Sequence, residues 1–287
     1  MANVQELKQY RNIHLIGIGG TSMSGIAQIL KHWGYNVTGS DANASDNTEK
    51  LINSKIYVTI GSDPSILNNV DLVIYSAAIH DTDPELSRAR ELGIPTIERG
   101  PFLGQLTHSF RNTISISGTH GKSTTSAMVS MCFIEAKQDP TIQIGANIPA
   151  INGNYRLGNS ENFIIESCEY ADSFLSFAPK AEIILNIDND HLDYFKNLDN
   201  IKAAFVKFVK LLPDDGILVY NADDENCSHI SKNTKAKSIT FGLKNKSANF
   251  IAKNISYDKN GFPSFDVYHN NNFYKTIKLS IPGEHNV

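Results

Sequence analysis

The feature that most constrains how this chain can fold is the run Gly118-Thr119-His120-Gly121-Lys122-Ser123-Thr124-Thr125. The apolar stretch Thr113-Ile114-Ser115-Ile116 lies just before it, and Ser126-Ala127-Met128-Val129 follows directly. A strand, a tight glycine turn and a helix start are written in that order. Such a turn aims backbone N–H groups and a lysine at phosphates, which points to a nucleoside triphosphate. A full phosphate-loop pattern needs another glycine at position 116, where Ile116 stands, so this loop is a shortened relative.

A second glycine cluster, Gly17-Ile18-Gly19-Gly20-Thr21-Ser22-Met23-Ser24-Gly25, sits between a predicted strand at 12–16 and a predicted helix. In that helix Met23, Ile26, Ala27 and Leu30 recur at helical spacing and Gly34 is the stop signal. The cluster's physical role would be to admit a pyrophosphate at the helix N-terminus. The dinucleotide pattern wants glycine at position 22, but Ser22 stands there, and Ser22 and Ser24 add hydroxyl donors. Asp41 follows the second strand, where a ribose-binding acid would sit. A ligand-free turn and an NAD(P) site stay open beside the better reading, a different pyrophosphate nucleotide.

The bulk numbers exclude several classes. A charged fraction of 20% and a formal net charge of -4 argue against a broad nucleic-acid-binding face. No run of 18 apolar residues exists, so no membrane span is expected. The stretch Met1 to Gln9 is polar and lacks an apolar signal segment. Cys132, Cys168 and Cys227 form no close pair and read as free thiols in a reducing compartment, the cytoplasm.

Along residues 11–100, strands are expected at 12–16, 35–38, 71–75 and 94–97. Asp83-Pro84-Glu85 opens a helix with a capping residue and a proline at its first position. A second α/β unit starts near Arg111, with strands at 113–117, 163–165, 182–187 and 217–220 and helices at about 122–135 and 200–211. The seam is expected near 104–111, a polar stretch. After 237–241 the texture changes. Segments 250–257 and 265–268 flank the hairpin signal Lys259-Asn260-Gly261, and Asn270-Asn271-Asn272 turns into 273–281. The expectation is two consecutive three-layer α/β units, residues 1–107 and 108–287, the second carrying an antiparallel ribbon. The terminal Pro282-Gly283-Glu284-His285-Asn286-Val287 reads as a turn into a helix that never comes, which predicts a truncated chain.

Several side chains suit phosphate and metal chemistry. Lys122 would neutralise β- and γ-phosphate charge, and the Ser123 hydroxyl would reach Mg²⁺. Thr124 and Thr125 lie in the first helical turn, where free N–H groups also face an anion. Glu166 closes the strand at 163–165, so it faces the crevice at the sheet's C-terminal edge, with Glu169 three residues on. His191 follows the acidic stretch Asp188-Asn189-Asp190, and His120 lies inside the loop itself. On spacing alone His80, His108 and His285 are ordinary surface residues. There is no HxExH-like zinc cluster and no GxSxG elbow.

Taken together these motifs resemble the Mur ligases of peptidoglycan synthesis. The resemblance rests on Gly17 to Gly25 with Ser40-Asp41, and on Gly118 to Thr125. It rests also on Glu166-Ser167-Cys168-Glu169 with Ser173-Phe174, on Asn186-Ile187-Asp188-Asn189-Asp190-His191, and on Gly283-Glu284-His285-Asn286-Val287. Within the family, Gly19-Gly20 and Met23-Ser24-Gly25 resemble the branch that joins L-alanine to UDP-N-acetylmuramate more than the branch that attaches a recovered tripeptide. The resemblance implies a Rossmann-like UDP-binding domain, a phosphate-loop domain for Mg·ATP, and a third, amino-acid-binding domain that this chain lacks. It thus implies little ligase activity for the chain alone.

The implied chemistry is an acyl phosphate made from ATP and the lactyl carboxylate, then attacked by the amine of L-alanine. The resemblance places Gly118, Thr119, His120, Gly121, Lys122, Ser123 and Thr124 at the ATP phosphates and His285 and Asn286 beside the adenine. Ser123, Glu166 and His191 take the metal, so Lys122, Glu166 and His191 carry the catalysis. Gly17, Gly19, Gly20, Ser22, Met23, Ser24, Ser40, Asp41, Ser76 and His80 fall on the UDP-sugar side. Gly145-Ala146 departs from the two glycines common in the family, as does Glu98-Arg99-Gly100-Pro101 from the usual end of the first domain. A nicotinamide oxidoreductase would leave the Lys122 loop unexplained. A non-enzymatic nucleotide-binding scaffold would bind ATP without chemistry.

Overall fold

The computed structural model describes residues 7–287, so most of the polar stretch Met1 to Gln9 lies outside the described residues. The chain forms two compact units. The first holds the residues up to Thr113 together with Ser126–Glu166 and Ser176–Ala178; the second holds Ile114–Thr125, Ser167–Leu175 and Pro179–Val287.

The first unit contains strands β1 (Asn12–Ile16), β2 (Asn36–Asp41), β3 (Tyr57–Ile60), β4 (Leu72–Tyr75) and β5 (Thr96–Glu98), in the order β3-β2-β1-β4-β5. All four pairings are parallel. Helices α1 (Thr21–His32), α2 (Asp46–Asn53), α3 (Pro84–Glu91) and α4 (Arg99–Thr107) accompany them. Strand β1 is central and nearly continuously buried, as a strand covered on both faces must be. The strand order reverses at β1, with β2 on one side and β4 on the other, and such a switch point opens a crevice at the strands' C-terminal ends. The first glycine cluster leaves β1 at that end. Helix α3 begins as its sequence predicts: the Asp83 carboxylate accepts from the N–H groups of Glu85 and Leu86, and Pro84 takes the first turn.

The chain continues with β6 (Asn112–Ser117), α5 (Lys122–Glu135), β7 (Thr141–Ile148), β8 (Gly153–Arg156), β9 (Asn162–Glu166) and β10 (Ala181–Ile184). Then come α6 (Leu192–Phe195), α7 (Leu198–Val209), β11 (Ile217–Asn221), α8 (Glu225–Ile230), β12 (Lys237–Gly242), β13 (Phe250–Tyr257), β14 (Pro263–His269) and β15 (Asn272–Lys278). In the second unit the order is β15-β14-β13-β12-β11-β10-β6. The run from β6 to β13 pairs parallel, and β13-β14-β15 pair antiparallel, as the two turn signals predict. In the first unit β7 pairs parallel with β9 and antiparallel with β8.

Each unit has its own core. Ile13, Leu15, Met23, Ile26, Phe102 and Phe163 anchor the first. In the second, Phe174 stacks on Phe208 with ring centroids 4.3 Å apart and meets Phe205 edge-on. Residues 104–111, read as the seam, hold the end of α4 and its exit, with Leu106 and Phe110 buried. Gly104 is there for close approach: a Cβ would lie 2.3 Å from the Ser176 carbonyl oxygen. No helix among the described residues is long and apolar enough to cross a membrane.

Candidate functional site

In the second unit, the Gly118–Gly121 turn is stitched to the segment after β10. Thr119 N–H donates to the Asn186 carbonyl at 3.0 Å, and His120 N–H donates to Asn186 Oδ1 at 2.7 Å. Asn186 returns its own amide to the His120 carbonyl at 3.0 Å, while Asp188 N–H donates to Thr119 Oγ1 at 2.8 Å. Gly118 (φ 140°) and Gly121 (φ 67°) hold backbone conformations that side chains resist. A Cβ on Gly118 would also press on Leu185 and the Asn186 backbone at 3.1–3.2 Å. Asn186 therefore shapes the loop, a role that no spacing rule reveals.

The loop's lysine is already engaged. Lys122 Nζ donates to the Gly118 carbonyl at 2.9 Å and to Glu169 Oε2 at 3.2 Å. Glu169 is 2% exposed and Lys122 14%, so the pair is largely desolvated. Charge-assisted bonds of this kind hold a side chain in one place more firmly than neutral ones. Thr125 Oγ1 donates to the Gly121 carbonyl at 3.0 Å, which closes the first turn of α5. Ser123 and Thr124 stand in that same turn.

His191 lies in the same unit at the N-cap of α6, with φ 50°. Its N–H donates to Asp190 Oδ1 at 2.7 Å, and its ring lies 5.0 Å from that of Tyr170. Ala171 and Asp172 also have positive φ, and Asp172 Oδ2 accepts from Tyr194 OH at 3.0 Å. Such left-handed non-glycine residues cost energy and cluster at functional loops. At the chain's end, His285 lines a hollow of about 230 Å³ with Phe241, Phe250 and Phe265. Asn286 points elsewhere, donating to the Pro282 carbonyl at 2.7 Å.

The first unit holds Glu166 and the first glycine cluster. Glu166 Oε2 accepts Gly145 N–H at 2.8 Å, and a Cβ on Gly145 would stand 3.1 Å from its other oxygen. Among the described residues no three His, Cys, Asp or Glu side chains gather closely enough to hold a metal ion. Ser123 and His191 belong to the second unit and Glu166 to the first.

A cavity of about 560 Å³ opens beside the first cluster, lined among others by Gly17, Gly20, Ser40, Asp41, Ser76 and Glu85. Asp41 braces the loop: its Oδ2 accepts Gly19 N–H at 2.8 Å and its Oδ1 accepts Asn43 N–H at 3.1 Å. Helix α1 has no side-chain cap at its start, where Thr21 is exposed and Ser22 half-buried. Met23 and Ser24 do not line this cavity. Met23 is packed in the core, and Ser24 is buried with its hydroxyl donating to the Thr21 carbonyl at 3.0 Å. His80 is exposed and outside the lining. Gly25 lets α1 approach β7, since a Cβ there would fall 1.9 Å from Gln143 Oε1. Sequence reasoning missed Glu85, which it took only as part of a helix start.

Comparison with known proteins gives a consistent answer. The family model described as "Mur ligase middle domain" matches residues 116–287, and the one described as "Mur ligase family, catalytic domain" matches residues 12–111. The UDP-N-acetylmuramate–L-alanine ligase of Clostridium novyi is 48% identical over 277 residues, which is 96% of this chain and 60% of that protein. The chain thus spans about 60% of the length of such curated relatives. The crystal structure of the UDP-N-acetylmuramate-alanine ligase from Thermotoga maritima superposes with a TM-score of 0.82 at 29% identity, covering 96% of this chain and 62% of that one. The UDP-N-acetylmuramate:L-alanyl-gamma-D-glutamyl-meso-diaminopimelate ligase from Neisseria meningitides gives 0.84 at 26% identity, covering 96% and 90%.

Proposed function

The chain belongs to the Mur ligase family, and we propose that it is the UDP-sugar- and ATP-handling part of an enzyme that joins L-alanine to the lactyl carboxylate of UDP-N-acetylmuramate. In this reading residues 1–107 form a Rossmann-like UDP-binding domain and 108–287 a phosphate-loop ATP domain, working in the cytoplasm. The observation that carries the reading is the Lys122 loop: a cation clamped between Gly118 and Glu169 at the start of a 14-residue helix. The 48% identity to the Clostridium novyi ligase supports the choice of substrate.

The reaction must bring a carboxylate up to a triphosphate, so charge has to be cancelled where the phosphoryl group moves. Lys122 and the positive N-terminal end of α5 supply part of that cancellation. Gly118, Thr119, His120 and Gly121 give the backbone that wraps the phosphates, and Ser123 and Thr124 extend it. On ATP binding, Lys122 shifts from Glu169 toward phosphate oxygen. His285, in its aromatic hollow, and Asn286 take the adenine side. Gly17, Gly19, Gly20, Ser22, Ser40, Asp41, Ser76 and His80 are assigned to the UDP-sugar.

Glu166 offers the kind of carboxylate that magnesium takes. Magnesium binds through one or two carboxylates plus substrate phosphates rather than a full protein cage, and Glu166 is fixed in orientation by the Gly145 amide. The metal roles of Glu166 in the first unit and of Ser123 and His191 in the second are carried by the family resemblance, and the ion when bound would neutralise phosphate charge. No side chain need act as a base in the first step, because the carboxylate is already ionised.

Calorimetric titration tests the reading. UDP-N-acetylmuramate and Mg·ATP are expected to bind, and NAD(P)H is not; binding of NAD(P)H alone would overturn it. In the parent enzyme, ADP release driven by L-alanine rather than by a tripeptide selects between the two branches of the family.

A further inference from the structure

The cavity beside the first glycine cluster has a floor whose protons can be assigned. Glu85 reaches it from the first turn of α3 and is 1% exposed. Its Oε1 accepts Asp63 N–H at 2.7 Å. Its Oε2 accepts the Ser40 hydroxyl and lies 3.4 Å from His14 Nε2. Burial pushes this carboxyl up, but the His14, Ser40 and Asp63 hydrogen bonds outweigh burial and hold it below the usual glutamate range. At neutral pH Glu85 is therefore ionised and can only accept.

That fixes its neighbours. Ser40 commits its single hydroxyl proton to Glu85, so toward the cavity its oxygen can only accept. His14, fully buried, carries a hydrogen on Nε2 facing Glu85, and its Nδ1 lies 2.8 Å from Thr38 Oγ1. Asp41 is likewise an acceptor, already holding Gly19 and Asn43. Among the described residues that line the cavity there is no lysine or arginine, while Asp41, Asp83 and Glu85 are all present.

We propose that Glu85 is a positioning residue for ligand selection: by holding the Ser40 proton it makes the cavity floor an acceptor surface, which chooses the donor-bearing nucleoside of the UDP-sugar through its ribose hydroxyls or its imide N–H. This rests on the UDP-sugar reading of the first unit. It keeps the phosphates off the floor itself, toward the glycine loop, because an acceptor-only acidic surface repels them. The Glu85→Gln change is nearly isosteric and reverses the polarity. Its amide donates toward Ser40, which turns the hydroxyl proton toward the ligand.

The test is calorimetric titration of the 287-residue chain with UDP, 2′-deoxy-UDP and CDP. CDP lacks the imide N–H, and the deoxy analogue lacks one ribose hydroxyl. The wild type is expected to prefer UDP over at least one analogue by about tenfold, the worth of one hydrogen bond to a committed acceptor. E85Q and Ser40→Ala each abolish that preference, and E85Q has no further effect in the S40A background. Unchanged circular dichroism and urea-unfolding midpoints show that E85Q and S40A are folded. An unselective wild type, or an E85Q loss undiminished in S40A, overturns the proposal. Should the wild type bind none of the three, the UDP-sugar reading falls. The ¹⁵N spectrum of His14 then decides the Glu85 assignment on its own: a protonated Nε2 that changes in E85Q supports it, and an unprotonated Nε2 sinks it.

Discussion

The two glycine loops begin alike, each leaving a strand and opening a helix, and they differ in the charge behind them. The first is braced by acids: Asp41 holds Gly19, Glu85 holds Ser40, and no cation lines the adjoining cavity among the described residues. The second carries its own cation, Lys122, balanced by the buried Glu169. Backbone shape admits an anion in both places, but charge separates them. A floor of acceptors suits hydroxyls and an N–H, whereas a clamped lysine suits phosphate oxygens.

The contrast breaks most sharply at Lys122. Lys122→Ala is expected to weaken Mg·ATP binding about 100-fold, the loss of a charged hydrogen-bond donor, and to leave UDP-N-acetylmuramate binding unchanged. Calorimetry with each ligand checks it, and equal loss of both would erase the distinction between the loops.

A pair of buried glutamates sharpens it next. Glu85 is saturated with donors, whereas Glu182 in β10 is fully buried and neither of its oxygens has a hydrogen-bond partner among the described residues. Its register neighbour on β6, Ser115, has an equally unpartnered hydroxyl. Burial pushes the Glu182 carboxyl well above the usual range, which favours its neutral form in the fold. The unfolded chain gives up that proton near pH ~4.3, so stability is fully present below that pH and falls as pH rises toward the folded value. The slope is about 1.4 kcal/mol per pH unit at most, and Glu182→Gln is expected to flatten it. Urea unfolding from pH 5 to 7 measures it, and an unchanged slope would refute the assignment.

Gly25→Ala tests the packing behind the first loop. A methyl pressed on Gln143 is expected to cost about 1–3 kcal/mol in chemical denaturation, with Mg·ATP affinity retained. The smallest effect belongs to Asp83, the cap of the helix that carries Glu85. Asp83→Ala is expected to lose about 1 kcal/mol of stability, visible in the same assay.

Much of this was legible in the sequence where apolar runs meet glycine punctuation. Strand β1 and helix α5 begin and end where their patterns say, and the ribbon β13–β15 follows its turn signals. What escaped has physical causes. Strand β3 is half-exposed along its length and shows no clean alternation. Strand β7 is interrupted by Gly145 and Asn147, and α4 contains Gly100, Pro101 and Gly104, which look like breakers. Gly104 and Gly145 are there because another chain segment comes close, and close approach is invisible in one dimension.

The sites divide the same way. The Lys122 loop announces itself by residue type and spacing, and Asp41 by its place at the end of β2. The partnership of Glu85 with Ser40 and His14 joins residues up to 71 positions apart, and only the parallel order of β2, β1 and β4 brings them together.

Strand β15 carries one more consequence. It ends the strand order, and six of its seven residues, all but Ile277, are exposed; Phe273 is 59% and Tyr274 67% accessible. A bare edge with aromatic side chains is a template on which another strand can crystallise, in the same molecule's kin or in an aggregate. Lys275 and Lys278 sit on that strand and supply the like-charge repulsion that keeps such edges apart. Concentrated salt shields those two lysines, which would bring neighbouring edges within reach of one another.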